Sequence, residues 1–282
     1  MNCTEEERAY LRRLVQTHSA NVMDPARDYF LESRLQSVAR KVGVGGVREL
    51  IALLRHRPEG TLHRTVVEAM TVNETSFFRD GAPFDRMRID LIPRLIQARQ
   101  PQRVLRFWSA ACSSGQEAYS VAILIREHFP AIDDWDIRIV GTDISHAMIE
   151  RSLDGSYSDL EVARGLTAEL RDRHTMHVGQ RWSMLPEVRA LCHFTRLNLC
   201  AKLPGMPIFD GILLRNVMLY ISGEDRVQLL RAMRRLLAPD GFLFLGSSEQ
   251  LPPEMDSFQL QASGKAYFYR PRNPFQACNH LS

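Results

Sequence analysis

Hydrophobic positions along the first seventy residues recur at the three-to-four-residue interval of helices. Leu11, Leu14 and Val15 follow Thr4 and Glu7, which stand at capping-box spacing, and together they predict a first helix. Asp24-Pro25 supplies an N-cap and a first-turn proline for a second helix. Its stripe of Leu31, Leu35, Val38 and Val42 stops at Gly43 and the Gly45-Gly46 pair. "VRELIALLRH" and "TLHRTVVEAM" predict two further amphipathic helices, separated at Pro58 and Gly60. After Gln100-Pro101 the pattern changes. "RVLRFWSA" reads as a strand, "AACSSG" as a turn of small residues and "QEAYSVAILIREHF" as a helix. "DIRIVGTDIS" is a second strand ending at Asp143, followed by a helix through Met148, Ile149 and Leu153. "FDGILLRNVMLYI" holds a third strand, and "EDRVQLLRAMRRLLAPDG" is a long helix closed by Pro239 and Gly241. "GFLFLGSSE" and "KAYFYR" complete the strands. Such alternation predicts an α/β domain with a parallel sheet and helices on both faces, its functional residues at the carboxyl ends of the strands. Residues 154–207 break the alternation, and short strand-like runs around Pro186 predict a small β excursion.

Composition narrows the class. A chain of 282 residues suits one large domain or two ordinary ones, and a net charge of +3 does not mark a nucleic-acid binder. The five cysteines are scattered, odd in number and free of any C-x-x-C pair, which predicts free thiols in a reducing compartment. His174, His177 and His193 lack tight ligand spacing, so no metal site is expected. The charged start "MNCTEEERAYLRR" is unlike a secretory signal, and no apolar run approaches the ~20 residues that span a bilayer. The expectation is a soluble, cytoplasmic protein. On the second predicted helix Arg27, Arg34 and Lys41 recur every seven residues, with Arg40 adding charge elsewhere. That line is either a solvated face or a docking surface for an acidic partner helix.

Candidate chemistry gathers at the strand ends. "SAACSSGQEAYS" lets backbone approach a ligand closely, but it is no G-x-G-x-x-G and supports no dinucleotide fingerprint. Asp143, ending "GTD", suits a ribose diol, or else merely caps the helix beginning near Ser145. A small-residue turn with an acidic second strand end fits S-adenosylmethionine better than NAD. Arg215, Asn216 and Tyr220 follow the third strand, where a core does not need them; Arg215 and Asn216 are expected to face the cofactor and Tyr220 the reacting centre. The absence of a D/N-P-P-Y/F element there opposes a nucleic-acid base as substrate. The connecting stretch "TVNETSFFRD" carries more aromatic and hydrogen-bonding groups than a linker needs.

"NETSFFRD", "GQEAYSVA", "GTDIS", "FDGILLRNVMLYI" and "APDGFLFLGSSE" stand in the order and spacing of the CheR-type chemotaxis receptor methyltransferases. The chain resembles that family over nearly its whole length. The resemblance implies a Rossmann-like methyltransferase domain over 86–272 with an inserted β subdomain at 173–195. It also implies a helical N-terminal domain over 1–72, a linker at 73–85 that contributes to the active site, and an unmatched tail at 273–282. It implies a cytoplasmic, monomeric protein-glutamate O-methyltransferase that forms glutamate methyl esters on receptor helices for sensory adaptation. S-adenosylmethionine is then the cofactor and S-adenosylhomocysteine the product. The rival from another class is a regulatory module that binds the cofactor without turnover.

Carried over position by position, the resemblance implies cofactor contacts at Asn73, Thr75, Arg79, Glu117, Asp143, Asn198, Leu199, Arg215 and Asn216. Arg79 and Tyr220 would flank the transferring methyl group. Arg34 and Arg40 match the family's receptor-docking pattern and, with Arg27 and Lys41 of the seven-residue line, would face the receptor, and the N-terminal domain leaves room for a regulatory protein. No nucleic acid and no membrane insertion is expected. Two departures are visible: "GQEAYS" replaces the usual "GEEPYS", and Ser37 and Val38 stand where relatives often have Arg. A shortened segment from Arg173 to Phe194 without a glycine-rich turn points to a member that works without a receptor C-terminal peptide tether.

Overall fold

The computed structural model describes residues 3–19, 29–70, 74–263 and 266–272. The chain divides into two compact units, Met1–Val72 with Tyr220–Arg226, and Asn73–Leu219 with Val227–Ser282.

The first unit is helical: α1 (Glu5–Ser19), α2 (Tyr29–Val42), α3 (Val47–His56) and α4 (Thr61–Met70). The predicted capping box forms, with Thr4 N donating to Glu7 Oε2 at 2.7 Å and Glu7 N donating to Thr4 Oγ1 at 3.2 Å. That reciprocity satisfies two of the amides a helix start leaves unpaired. Leu11, Leu14, Val15, Leu35, Val38, Leu50, Leu54 and Val66 bury together as the stripes foretell. Val42, at the last turn of α2, is exposed instead, and Gly43 leaves the helix in the left-handed region with φ 80°. The buried imidazole of His63 bonds through Nε2 to the Leu54 carbonyl oxygen at 3.1 Å, tying α4 to α3. Asp24-Pro25, Arg27 and the side chain of Leu31 lie outside the described residues.

In the second unit the helices are α5 (Ala82–Arg86), α6 (Ile92–Arg99), α7 (Gln116–His128), α8 (His146–Asp154), α9 (Asp159–Ala163), α10 (Ala168–His174) and α11 (Pro186–Arg189), while α12 (Gly223–Leu236) starts in the first unit. The strands are β1 (Val104–Ala110), β2 (Asp136–Asp143), β3 (Ser156–Tyr157), β4 (Thr175–Val178), β5 (Arg181–Met184), β6 (Cys192–Arg196), β7 (Phe209–Leu214), β8 (Leu237–Leu245), β9 (Phe258–Ser263) and β10 (Ala266–Pro271). A seven-stranded sheet runs β6-β2-β1-β7-β8-β10-β9, parallel from β6 to β8 and antiparallel at β10. Chain order reverses between β1 and β7, the place where an open α/β sheet opens a crevice for ligands.

Three details depart from the sequence pattern. Leu237 is already strand, paired with Phe209, so the long helix ends at Leu236, before Pro239 and Gly241. Burying Leu237 and Ala238 in the sheet outcompetes one more helical turn. β6 joins the large sheet beside β2, which removes it from the excursion expected at 173–195. The small sheet, ordered β3-β5-β4, instead recruits Ser156–Tyr157 from earlier in the chain. The large sheet is pinned at its opposite end by Arg99, which donates to Asp210 Oδ1 at 2.8 Å and clamps both carboxylate oxygens of Asp240 at 2.9 and 2.6 Å.

Candidate active site

The turn after β1 is built from backbone conformations that side chains resist. Ala111 and Ser113 have φ of 65° and 50°, and Gly115 has φ 94°. Such residues cost about 1–3 kcal/mol each where they are not glycine, so something must hold them. Asp143, at the end of β2, supplies one hold: its Oδ2 accepts from Ser113 N at 2.9 Å while Oδ1 accepts from Ser145 N at 2.9 Å. Capping of α8 falls to Ser145, whose Oγ accepts from Met148 N. Asp143 is therefore no mere helix cap. Tyr157 adds a second hold, its hydroxyl donating to the Ser114 carbonyl at 2.7 Å.

Glu117, in the first turn of α7 directly after the turn that follows β1, is buried. Ser109 Oγ donates to its Oε1 at 2.7 Å and Arg215 Nη1 to its Oε2 at 2.9 Å. Burial raises its carboxyl pKa above the usual range, against the lowering pull of Arg215, Ser109 and Arg79. Arg215 Nη2 donates onward to Asp80 Oδ2 at 2.6 Å and to the Arg79 carbonyl at 2.8 Å. Its side chain is only 2% exposed. The guanidinium of Arg215 thus turns inward: its terminal nitrogens hold the Arg79 carbonyl and the carboxylates of Asp80 and Glu117. That grip explains how Phe78 and Asp80 keep φ of 46° and 67°. The half-buried Arg79 donates through Nη1 to the Glu74 carbonyl at 2.8 Å. Phe78 N is anchored on Ser120 Oγ at 2.9 Å.

A third carboxylate stands after β8. Glu249 is buried and accepts from Asn216 N at 2.8 Å, Gly246 N at 2.7 Å and Met218 N at 2.8 Å. Asn216 itself has φ 59°. At the strand ends of this unit, then, buried carboxylates outnumber cations, and no glycine-rich run of amides is present. This set of carboxylate acceptors fits a cationic nucleoside and does not fit a pyrophosphate.

Comparison with known proteins agrees. The family model described as CheR methyltransferase, SAM binding domain, matches residues 73–267, and that described as CheR methyltransferase, all-alpha domain, matches residues 6–71. The chain belongs to the CheR methyltransferase family. The chemotaxis protein methyltransferase Cher2 of Pseudomonas putida is 36% identical over 251 residues, covering 87% of this chain and 90% of that protein. Chemotaxis protein methyltransferase 1 of Pseudomonas aeruginosa is 35% identical over 262 residues, covering 89% and 92%. S-adenosylmethionine is accordingly the group against which the CheR-family site is read.

The remaining expected residues are placed as follows. Leu197 N donates to the Asp143 carbonyl at 2.9 Å, which sets the half-buried Asn198 and Leu199 beside that strand end. Asn198 Oδ1 accepts from Cys200 N at 2.9 Å and shapes the turn that follows. Thr75 is half-buried, and Asn73 lies outside the described residues. Tyr220 ends a short 3-10 turn, Met218–Tyr220, and falls in the helical unit, whereas Arg79 falls in the sheet unit. In the helical unit Arg34 Nη1 donates to the Met70 carbonyl at 3.2 Å, while Arg40 and Lys41 are exposed at the end of α2.

Asp80, Ser109, Ser113 and Glu249 were not foreseen as site residues. Asp80 and Glu249 lie inside the quoted "NETSFFRD" and "GFLFLGSSE" stretches; for Glu249 a charged residue shortly beyond a strand end was the available signal, and for Asp80, in the connection before α5, there was none. His174 bonds through Nε2 to Glu127 Oε2 at 2.9 Å and His177 packs edge-on against Trp182. Among the described residues no cluster of His, Cys, Asp or Glu converges as a metal site, and no helix is long and apolar enough to cross a membrane.

Proposed function

We propose that this CheR-family chain transfers a methyl group from S-adenosylmethionine to glutamate side chains on the cytoplasmic helices of chemotaxis receptors, acting in the cytoplasm as a monomer. One observation carries the reading: Arg215 ties the backbone of Arg79 to buried Glu117 at the strand ends, so that a half-buried guanidinium is held beside an anionic crevice. Glu117 and Asp143 would hold the cofactor's cationic and diol groups, with Thr75, Asn198, Leu199 and Asn216 around them. S-adenosylmethionine supplies an electrophilic methyl on a sulfonium. The acceptor carboxylate, with a pKa of about 4.3, is ionised at neutral pH and needs no general base. The buried Cys112 thiol, its pKa pushed well up by desolvation and by Asp143 and Glu117, stays protonated and offers no competing nucleophile.

The work left to the protein is orientation. Arg79 donates to Glu74 through Nη1, leaving the rest of its fork for an incoming carboxylate. Alignment of this kind supplies about 7–11 kcal/mol in favourable cases. Tyr220 has the hydroxyl to orient the acceptor. Arg40 and Lys41 suit an acidic receptor helix; Arg34 contributes less, since Met70 already holds it. The β4–β5 hairpin turns at Gly179 with two residues between the strands, which favours a member independent of a receptor peptide tether. Labelled methyl transfer to receptor fragments with and without their C-terminal peptides tests both points. Transfer is expected with either fragment, and Arg79→Ala should lose most of it while S-adenosylhomocysteine binding falls much less. Binding without transfer by the unaltered chain overturns the enzymatic reading.

A further inference from the structure

The hold that Glu249 exerts has a functional consequence. Its two oxygens collect amides from two separate loops: Oε2 takes Asn216 N and Gly246 N, and Oε1 takes Met218 N. Asn216 and Met218 belong to the chain leaving β7, and Gly246 to the chain leaving β8. The packing leaves no slack. A Cβ added at Gly246 would lie 2.6 Å from Glu249 Oε2, 2.7 Å from Asn216 Nδ2 and 2.9 Å from Asn216 N. Asn216 sits in the left-handed region directly after Arg215, whose guanidinium reaches Glu117. Unfastened, the 216–218 turn would relax toward ordinary φ and carry Asn216 and the reach of Arg215 with it.

We propose that Glu249 is a positioning residue for cofactor binding: its carboxylate clamps the post-β7 turn in the strained form that presents Asn216 and aims Arg215. This rests on the methyltransferase reading above. Glu249→Gln is the informative variant, because the amide keeps one acceptor oxygen for Asn216 N and Gly246 N and sets an N–H₂ against Met218 N. One lost hydrogen bond with a donor facing a donor is worth about tenfold in an equilibrium. S-adenosylhomocysteine binding is measured by calorimetry, and the KM for S-adenosylmethionine, kcat and Tm are measured on the full chain.

Glu249→Gln is expected to raise both the product Kd and that KM about tenfold, with kcat at saturating cofactor within a few-fold of the unaltered protein. Glu249→Asp, which keeps the charge but shortens the reach, is expected to fall between the two. A variant with lowered Tm but unchanged Kd and KM reduces Glu249 to a stabilising contact and overturns the proposal. A variant equal to the unaltered protein in every readout overturns it as well. Should the unaltered protein itself fail to bind S-adenosylhomocysteine, the functional reading fails instead.

Discussion

Gly165, between α9 and α10, offers a test in which magnitudes decide. Its φ of 114° is one that L-residues rarely adopt. A Cβ placed there would sit 1.8 Å from the Phe77 carbonyl oxygen and 2.7 Å from its carbon. Cβ atoms essentially never approach closer than 3.0 Å, so Gly165→Ala must part the two segments by about 1.2 Å. Phe77 has little room to yield. Its ring is 1% exposed and packs edge-on against Tyr157 at 5.0 Å, and the next residue is tied to Ser120. The displacement therefore passes to Arg79, two residues on, and through Tyr157 to the Ser114 turn.

A misplacement of about 1 Å can cost 10²-fold in rate, so methyl transfer is expected to fall about 100-fold. Backbone strain of about 1–3 kcal/mol with a similar overpacking cost predicts about 2–6 kcal/mol of destabilisation, or roughly 5–20 °C in Tm. Gly179→Ala is the control. Its φ is 61° with nothing within 4 Å of the new Cβ, so only strain of about 1 kcal/mol applies and transfer should persist. Thermal unfolding and receptor-methylation rates of the two variants are compared side by side. Equal Tm and full transfer by Gly165→Ala would refute the reasoning.

Two further outcomes follow. Burial raises the Glu117 pKa, so the folded state favours its protonated form. The stability this contributes is present below the unfolded value near 4.5 and is lost as pH rises through the folded pKa. Glu117→Gln cannot ionise, so its Tm relative to the unaltered protein should rise between acid and neutral pH while cofactor affinity falls about 10-fold or more at pH 7; a Tm difference independent of pH contradicts this. Arg99→Met strips Asp210 and Asp240 of their shared cation at the end of the sheet away from the site. It should cost about 2–4 kcal/mol in denaturant unfolding and leave transfer intact at low temperature; an unchanged midpoint counts against it.

The strand ends were legible because apolar runs stopped abruptly at chemistry-bearing residues: Asp143 after "GT", and Arg215-Asn216 after "ILL". The directions of side chains were not. Nothing in spacing distinguishes an Arg215 that faces a ligand from one that turns inward to Glu117 and Asp80. β6 was hard to assign to the large sheet because "CHFTR" is short and largely polar, its place set by parallel pairing with Ile139–Asp143. β9 was missed for a similar reason, since "FQLQAS" lies at the sheet edge and gains its order from β10. Gly165 gave no signal, because what forbids a side chain there is a carbonyl far away in the chain. Tertiary contacts decided each of these cases, and local pattern does not encode them.

The strained residues and the carboxylates belong to one device. Of the six non-glycine residues with positive φ among the described residues, Phe78, Asp80, Ala111, Ser113 and Asn216 stand in the segments joined by these carboxylates and Arg215, and Arg103, before β1, is the exception. Each stretch is restrained by a carboxylate or by the arginine it binds: Ser113 by Asp143, Asn216 by Glu249, and the 78–80 stretch by Arg215 on Glu117. An acidic side chain suits this task because it accepts several N–H bonds at once and charge strengthens each of them. The same choice leaves the crevice anionic before any ligand arrives. On the proposed reading a cationic methyl donor would meet a field already arranged for it, and the groups that sustain the backbone strain would also attract the ligand. Neutralising any one carboxylate should consequently loosen a turn and weaken cofactor attraction together. A compensating glycine at the strained position, which restores the turn without restoring the attraction, separates the two contributions in the same variant.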